Sequence, residues 1–258
     1  MALSLRAWRL ILLVTFLLVP LANYLPILLY VPQDQFTDGT DTRVDAAGYA
    51  FSIWGVIFTG MILFAALQLR VAAADEHLRR AYRFLVVAGL ASIAFVPISF
   101  GSNYLWGAVD LLWHLLALIG AYTALRAHVR VAGRPQYGWT YFAPSLYLGW
   151  ISAATVISLA LALQQVGVDF PPDTAVWIAT ALVVVLTLLG VFLGGRSDGF
   201  YGFTVAWALV AIAVEQRDAA PIFWAGLAGA GVLAIQGIFR LVGQRPFFYA
   251  TWPGSRSA

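Results

Sequence analysis

Eight apolar runs, separated by short segments that hold most of the charges, constrain this chain more than any other feature. A helix needs about 20 apolar residues to cross the hydrocarbon core of a bilayer. Charged residues make up 10% of the chain, against about 25% in soluble domains. The sequence therefore predicts an all-α membrane protein, an eight-span helical bundle. The runs cover residues 8–30, 48–68, 81–100, 104–125, 141–163, 174–193, 200–214 and 219–242.

The basic residues predict how these spans are threaded through the membrane. Lysine is absent, and thirteen of the 15 basic residues, all arginines, lie in segments on one side of the predicted bundle. The other two, Arg43 and Arg217, lie in loops on the opposite side, which also hold most of the acidic residues. Because arginine and lysine accumulate on the cytoplasmic side, we expect both termini in the cytoplasm. The net charge of +3 then reflects topology, and no nucleic-acid partner is expected.

The residue types that are missing exclude several classes of function. Cysteine is absent, which excludes disulfides, thiolate metal sites, covalently attached c-type haem and a cysteine nucleophile. Without lysine, the chain cannot form a Schiff base with retinal or pyridoxal phosphate. No nucleophile–base pair or glycine-rich phosphate loop is recognisable in the sequence. We therefore do not expect an enzyme.

Two polar residues, Asp110 and His114, lie inside the fourth apolar run. Their spacing of four places both on one face of a helix, which Trp106 and Trp113 flank. A charge at membrane depth costs on the order of 3 kcal/mol, so the pair needs a physical reason. It either lines a cavity, as a ligand contact or a proton site, or makes an interhelical hydrogen bond. A metal site is not expected, because it needs about three protein ligands.

Aromatic side chains are frequent in the second to fifth runs. A cavity lined by such rings suits a flat, apolar ligand, whereas ordinary aromatic core packing is the alternative. The rings concerned belong to Trp54, Phe58, Phe95, Phe100, Trp113, Tyr147 and Trp150.

Four segments together resemble the TspO/MBR family, the tryptophan-rich sensory proteins related to the mitochondrial translocator protein. AGYAFSIWGVIF at 47–58 is similar to the start of the family's second span, and FVPISFG at 95–101 to the end of its third. GAVDLL at 107–112 resembles the start of the fourth span, with its aspartate, and LYLGWISAA at 146–154 resembles the fifth-span motif. The four segments occur in the family's order and spacing, and the resemblance covers about residues 5 to 165.

The chain also departs from the family pattern. The Trp-x-Pro-Pro entry to the second span is replaced by residues 45–48, and a tryptophan linked to porphyrin photochemistry in bacterial members corresponds to about Gly48. The third-span asparagine corresponds to Ser92, the fifth-span proline to Leu146, and a later asparagine to Ser158. Residues 166–258 have no counterpart in five-span members. The resemblance thus implies a TspO-like five-helix core, 1–165, and a three-helix C-terminal extension, 166–258.

The resemblance implies a binding or regulatory protein for a flat hydrophobic ligand, most simply a tetrapyrrole, in a pocket among the first five spans. The loop at 31–47 would close this pocket. No cofactor would be required beyond a bound tetrapyrrole, and the partners would be the ligand, the lipid bilayer and a second copy in a homodimer. A bacterial or archaeal cell membrane is expected. The ligand-binding residues would be Trp54, Phe58, Phe100, Asp110, Trp113, His114, Tyr147 and Trp150.

Two other functions remain open on the sequence. An acid within a span is also typical of a proton-coupled transporter of a small hydrophobic or amphipathic solute. The last three helices are plain and apolar, so the chain is also compatible with a structural subunit of a larger membrane complex.

Overall fold

The computed structural model describes residues 4–29, 42–70, 75–99, 103–132, 137–196 and 199–243. Within these ranges the chain forms α-helices and one short 3₁₀ helix, with no strand. The predicted all-helical bundle is confirmed, and several helices extend beyond the predicted spans. The elements are α1 Leu5–Leu29, the 3₁₀ helix Gly48–Ser52, α2 Ile53–Gln68, α3 Glu76–Ser99, α4 Tyr104–Ala132, α5 Tyr137–Gln165, α6 Pro172–Arg196, α7 Gly199–Glu215 and α8 Ala220–Gly243.

The first five helices close into a ring. Each helix packs against two neighbours, in the order α1, α2, α5, α4, α3 and back to α1. Small residues allow close approach between these helices. A β-carbon on Gly60 of α2, for example, would lie 3.0 Å from that of Ala143 on α5. Between α1 and α3, the Asn23 side-chain amide donates a hydrogen bond of 3.0 Å to the Ser92 carbonyl.

Helix α7 is the short apolar helix, yet it is the one that protein surrounds most completely. Its 17 residues span about 26 Å at 1.5 Å per residue, and most of them are buried. It packs against α5, α6, α8 and the 3₁₀ helix. Because its faces contact protein rather than lipid, α7 does not need the length of a lipid-exposed span. The other seven α-helices are each long and apolar enough to cross a membrane.

The last three helices attach to the ring through α7. Helices α6, α7 and α8 pack on one another, and α7 lies along α5. The contact with α5 is close: a β-carbon on Gly149 would lie 2.9 Å from the Tyr201 carbonyl oxygen and from the Thr204 β-carbon. The Tyr201 hydroxyl also donates to the Ser152 hydroxyl at 3.2 Å. The division of the chain at 165/166 stays a prediction, and α7 is the helix that joins its two sides.

A buried histidine ties the start of α3 to the end of α4. The Nδ1 atom of His128, which is 2% exposed, donates to the Asp75 carboxylate at 2.6 Å. The same carboxylate accepts a bond of 2.9 Å from the His77 backbone N–H. Burial raises the pKa of Asp75, but the hydrogen bonds from His128 and His77 outweigh it, so the net pKa lies below the ordinary value of 3.8.

This lowered pKa predicts a loss of stability in acid. A depressed carboxyl pKa contributes stability above its unfolded value, and that contribution is lost as the pH falls through the folded value, here below about pH 4. Asp75→Asn should remove this dependence and, by weakening the bond to buried His128, lower the free energy of unfolding by about 1–3 kcal/mol at neutral pH. Thermal unfolding in detergent between pH 3 and 7 measures both effects. Asp169→Asn, at an exposed acid after α5, is the control, and an equal pH profile in both variants would contradict the assignment.

Candidate functional site

Aromatic rings from four helices meet inside the five-helix ring. Trp54 of α2 stacks on Phe58 with 4.9 Å between ring centroids, and its edge meets Tyr147 at 5.9 Å and Trp150 at 6.0 Å. The imidazole of His114, on α4, lies 4.9 Å from the Tyr147 ring. Three further rings pack on this group, two from α1 and one from the 3₁₀ helix. We call the set the aromatic cluster: Phe16, Tyr24, Phe51, Trp54, Phe58, His114, Tyr147 and Trp150.

The cluster holds polar atoms without hydrogen-bond partners. Both ring nitrogens of His114, the Tyr147 hydroxyl and the Trp150 Nε1 atom are buried and unpartnered within the described residues. The Oδ2 atom of Asp110, one turn from His114 on α4, is in the same condition. The Tyr147 hydroxyl is directed toward Ser92 but does not reach hydrogen-bonding geometry. A buried polar group left unsatisfied costs about 1–3 kcal/mol, so this concentration is costly unless something else binds there.

The structure brings together five of the eight residues predicted from the sequence. Trp54, Phe58, His114, Tyr147 and Trp150 belong to the aromatic cluster. Asp110, at 9% exposure, lies beside it.

Trp113 does not line the interior of the ring, because it is 61% exposed on the outer face of α4. Consecutive helical residues point about 100° apart, and on α4 the buried residue of this pair is His114. Phe100 lies outside the described residues, as does most of the predicted closing loop, 31–41.

Trp113 belongs instead to a groove on the outer surface of α3 and α4. The groove has a volume of about 480 Å³. The exposed rings of Trp106 and Trp113 line the groove, and Asp110, which lies beside the aromatic cluster, lines it as well. Asp110 therefore lies between the interior of the ring and the outer surface. The remaining residues that line the groove are Ile98 and Val109.

Sequence reasoning missed four rings that the structure places at or next to the cluster, among them Tyr24 of α1, which meets Phe58 at 6.0 Å. Phe16 of α1 meets Tyr147 at 6.3 Å, and Phe51 of the 3₁₀ helix meets Trp150 at 5.7 Å. Trp207 of α7 is bonded to the 3₁₀ helix, since its Nε1 atom donates to the Ala50 carbonyl at 3.0 Å. Phe51 lies within the family-like segment 47–58 and was detectable there. Phe16 and Trp207 lie in plain apolar runs that offer no local signal.

The cluster can bind a flat apolar molecule that has hydrogen-bonding groups at its edge. Within the part of the chain that the structure describes, the Tyr147 hydroxyl and the Trp150 indole N–H are free donors, and Asp110 Oδ2 and one nitrogen of a neutral His114 are free acceptors. The rings now contact one another, so a molecule of porphyrin size would have to displace some of them. Among the described residues, no three His, Cys, Asp or Glu side chains are grouped to hold a metal ion.

Comparison with known proteins identifies the family. No curated protein and no solved structure matches this chain. One family profile, described as TSPO-like protein, matches residues 9–239. The match begins in α1 and ends in α8, so it includes the helices beyond residue 165 as well as the five-helix ring. It confirms the resemblance seen in the sequence and agrees with the helical membrane bundle. The chain is therefore a membrane protein that belongs to the TSPO-like protein family.

Proposed function

We propose that this protein is a binding or regulatory protein for a flat hydrophobic ligand, a tetrapyrrole of porphyrin or haem type, which occupies the aromatic cluster. The role proposed is binding without catalysis. The protein would act in a bacterial or archaeal cell membrane, with both termini in the cytoplasm, and a homodimer is the expected assembly. Family membership supports a role of this class, and the chemistry of the cluster supports the ligand.

The unpartnered polar atoms of the cluster carry the proposal. Apolar packing alone does not require His114, Tyr147 and Trp150 to bury polar atoms without partners. Phenylalanine or leucine would fill the same space without the cost of desolvation. A ligand with an aromatic face and polar edge groups accounts for both the rings and the free donors and acceptors. A macrocycle with pyrrole nitrogens and carboxylate substituents has both properties.

Protoporphyrin IX is the probe for the first test. In detergent micelles or nanodiscs, its absorbance and the quenching of tryptophan fluorescence should change saturably with the wild-type protein. Tyr147→Phe removes only a hydroxyl and should weaken binding about fivefold, the equivalent of one ordinary hydrogen bond. Trp150→Ala removes both a donor and a stacking ring and should weaken binding at least about tenfold. Asp110→Ala should weaken it as well.

Trp177→Ala is the matched control, because it also removes one tryptophan but from an exposed position, 65% accessible, on α6. It should leave the affinity unchanged. Absence of saturable binding to the wild-type protein would overturn the tetrapyrrole proposal. Equal affinities for the wild-type, Trp150→Ala and Asp110→Ala proteins would instead place the ligand somewhere other than the cluster.

The position of Asp110 favours a second candidate, proton-coupled transport of a small hydrophobic or amphipathic solute. Its carboxyl lies beside the interior cluster and also lines the outer groove, so it contacts both environments. Acidic residues within membrane spans form the proton relays of pumps and transporters, and Asp110 is an acid of this kind. Uptake of a fluorescent hydrophobic amine into proteoliposomes, driven by an imposed pH gradient and abolished by Asp110→Asn, would establish transport. Porphyrin binding without any gradient-driven uptake would exclude it.

A further inference from the structure

The segment that precedes α2 is held by the extension rather than by the five-helix ring alone. We call residues 42–52 the strap. Its first part is bonded to the turn between α7 and α8: the Gln216 Nε2 atom donates to the Thr42 carbonyl at 3.2 Å. Arg43 donates to the Asp218 carboxylate at 2.8 Å and also meets the Gln216 side-chain oxygen at 3.5 Å. The strap therefore begins on the extension.

The second part of the strap is bonded to α7 itself. The Ala47 N–H donates to the Ala211 carbonyl at 3.1 Å, and the Trp207 Nε1–H donates to the Ala50 carbonyl at 3.0 Å. Tyr49 lies edge-on against the Trp207 ring, with 5.4 Å between centroids. Ala50 is fully buried in this contact. Helix α7 thus meets the strap with a backbone acceptor, a side-chain donor and an aromatic face.

These bonds differ in how much they contribute. Arg43 and Asp218 have side chains 40% and 64% exposed, so water and salt screen their ion pair, and such pairs stabilise little. Gln216 is 6% exposed and Ala47 is also 6% exposed, so their bonds form where water does not compete. The buried hydrogen bonds, and not the exposed salt bridge, determine whether the strap stays in place.

The other face of the strap lies on the candidate site. Phe51 meets the Trp150 ring edge to face at 5.7 Å, and Trp150 contacts Trp54 within the cluster. Trp54 is the second residue of α2, two positions after the end of the strap. Movement of the strap would therefore uncover Trp150 and shift Trp54. Contacts on α7 are in this way connected to the cluster through Phe51 of the strap and Trp54 of α2.

We propose that α7 and the α7–α8 turn form the surface that holds the strap in place, which we call its seat. Trp207 and Gln216 are then positioning residues that control how readily the aromatic cluster opens. The seat itself is independent of any ligand, whereas its effect on ligand exchange rests on the proposed function. The helices beyond residue 165 would then control access to a site whose residues all precede residue 165.

Amide hydrogen exchange of the full-length protein in detergent, read by mass spectrometry, tests the seat without a ligand. Trp207→Phe keeps an aromatic ring beside Tyr49 and removes the donor together with the five-membered ring of the indole, so exchange in residues 42–52 should accelerate at least about fivefold. Trp207→Phe combined with Gln216→Leu should accelerate it more, while the peptides of α4 stay protected. Trp224→Phe, at a 66% exposed position on α8, is the matched control. Unchanged exchange of the strap in the double variant would overturn the proposed seat.

Release of protoporphyrin IX, followed by transfer to excess apomyoglobin, tests the effect on access. The double variant should release the porphyrin several-fold faster than the wild-type and Trp224→Phe proteins. Faster strap exchange with unchanged release would overturn control of access while leaving the seat intact. If the wild-type protein binds no porphyrin, the proposed ligand fails and the exchange measurement still decides the seat.

Discussion

His114→Leu is expected to raise the stability of the ligand-free protein and to weaken tetrapyrrole binding, two effects of opposite sign. Among the described residues, neither ring nitrogen of His114 has a hydrogen-bond partner, and the residue is 1% exposed. An apolar side chain of similar size removes two unsatisfied polar atoms, a gain of about 1–3 kcal/mol in the free energy of unfolding. The same change deletes a polar contact to the ligand, so the affinity for protoporphyrin IX should fall about tenfold or more.

His128→Leu is the matched control for this prediction. His128 is buried to nearly the same extent, at 2% exposure, but its Nδ1 atom is bonded to Asp75. Its replacement should therefore lower the melting temperature and leave porphyrin affinity unchanged. Thermal unfolding in one detergent and absorbance titration of both variants measure these effects. Destabilisation by His114→Leu comparable to that by His128→Leu would show that His114 has a structural partner and no free nitrogen for a ligand.

Opposite effects on stability and binding distinguish a functional residue from a packing residue. A packing residue lowers stability when it is replaced, and binding suffers only as a consequence. A residue kept for a ligand costs stability until the ligand binds, which is common at functional sites. The test therefore decides between the two interpretations that the sequence left open for Asp110 and His114.

Much of the architecture could be predicted because membrane spans impose a long and simple apolar pattern. Each of the eight predicted runs contains or overlaps one α-helix. Helix α7, at 17 residues, is shorter than the usual span of about 20, and the structure explains its length by enclosure in protein. The cluster residues on α2 and α5 were predictable because Trp54, Phe58, Tyr147 and Trp150 lie in segments that resemble the family.

The orientation of α4 could not be predicted with the same success. In a soluble helix, polar residues mark the outer face, but the surface of α4 that faces lipid is as apolar as its interior face. The cost of a polar side chain in lipid favours His114 as an inward residue, but nothing local to the sequence shows that the adjacent Trp113 faces outward. The structure resolves this, because His114 contacts Tyr147 of α5 while Trp113 is exposed.

The contacts between the strap and α7 could not be predicted from the sequence either, for a different reason. Trp207 and Gln216 lie more than 150 positions after the strap in the chain. The hydrogen bonds they make use backbone carbonyls as acceptors, and a backbone acceptor has no signature in the sequence. The predicted division at 165/166 separates these partners, whereas the structure places them in contact and the family match spans both sides. Contacts across that division are the feature to test next.

Gly149→Leu is expected to force α5 and α7 apart and to destabilise the protein by about 1–3 kcal/mol, the usual cost of overpacking. Even a β-carbon at this position would lie 2.9 Å from the Tyr201 carbonyl, and a backbone atom cannot rotate away. Because α7 is the seat of the strap, the same variant should also accelerate amide exchange in residues 42–52 about tenfold. Porphyrin should dissociate faster in proportion, although position 149 points away from the aromatic cluster and toward α7.

Gly55→Leu on α2 provides the matched comparison. A β-carbon there meets no atom within 4 Å, so the substitution adds bulk without a clash. Leucine is the better helix former by roughly 0.5–1 kcal/mol, and that gain applies equally at both positions. The difference in melting temperature between the two variants therefore isolates the contact between α5 and α7. Equal melting temperatures and equal amide protection of residues 42–52 in the two variants would show that the extension is not packed on the ring through Gly149. That result would also contradict the proposal that α7 controls the cluster.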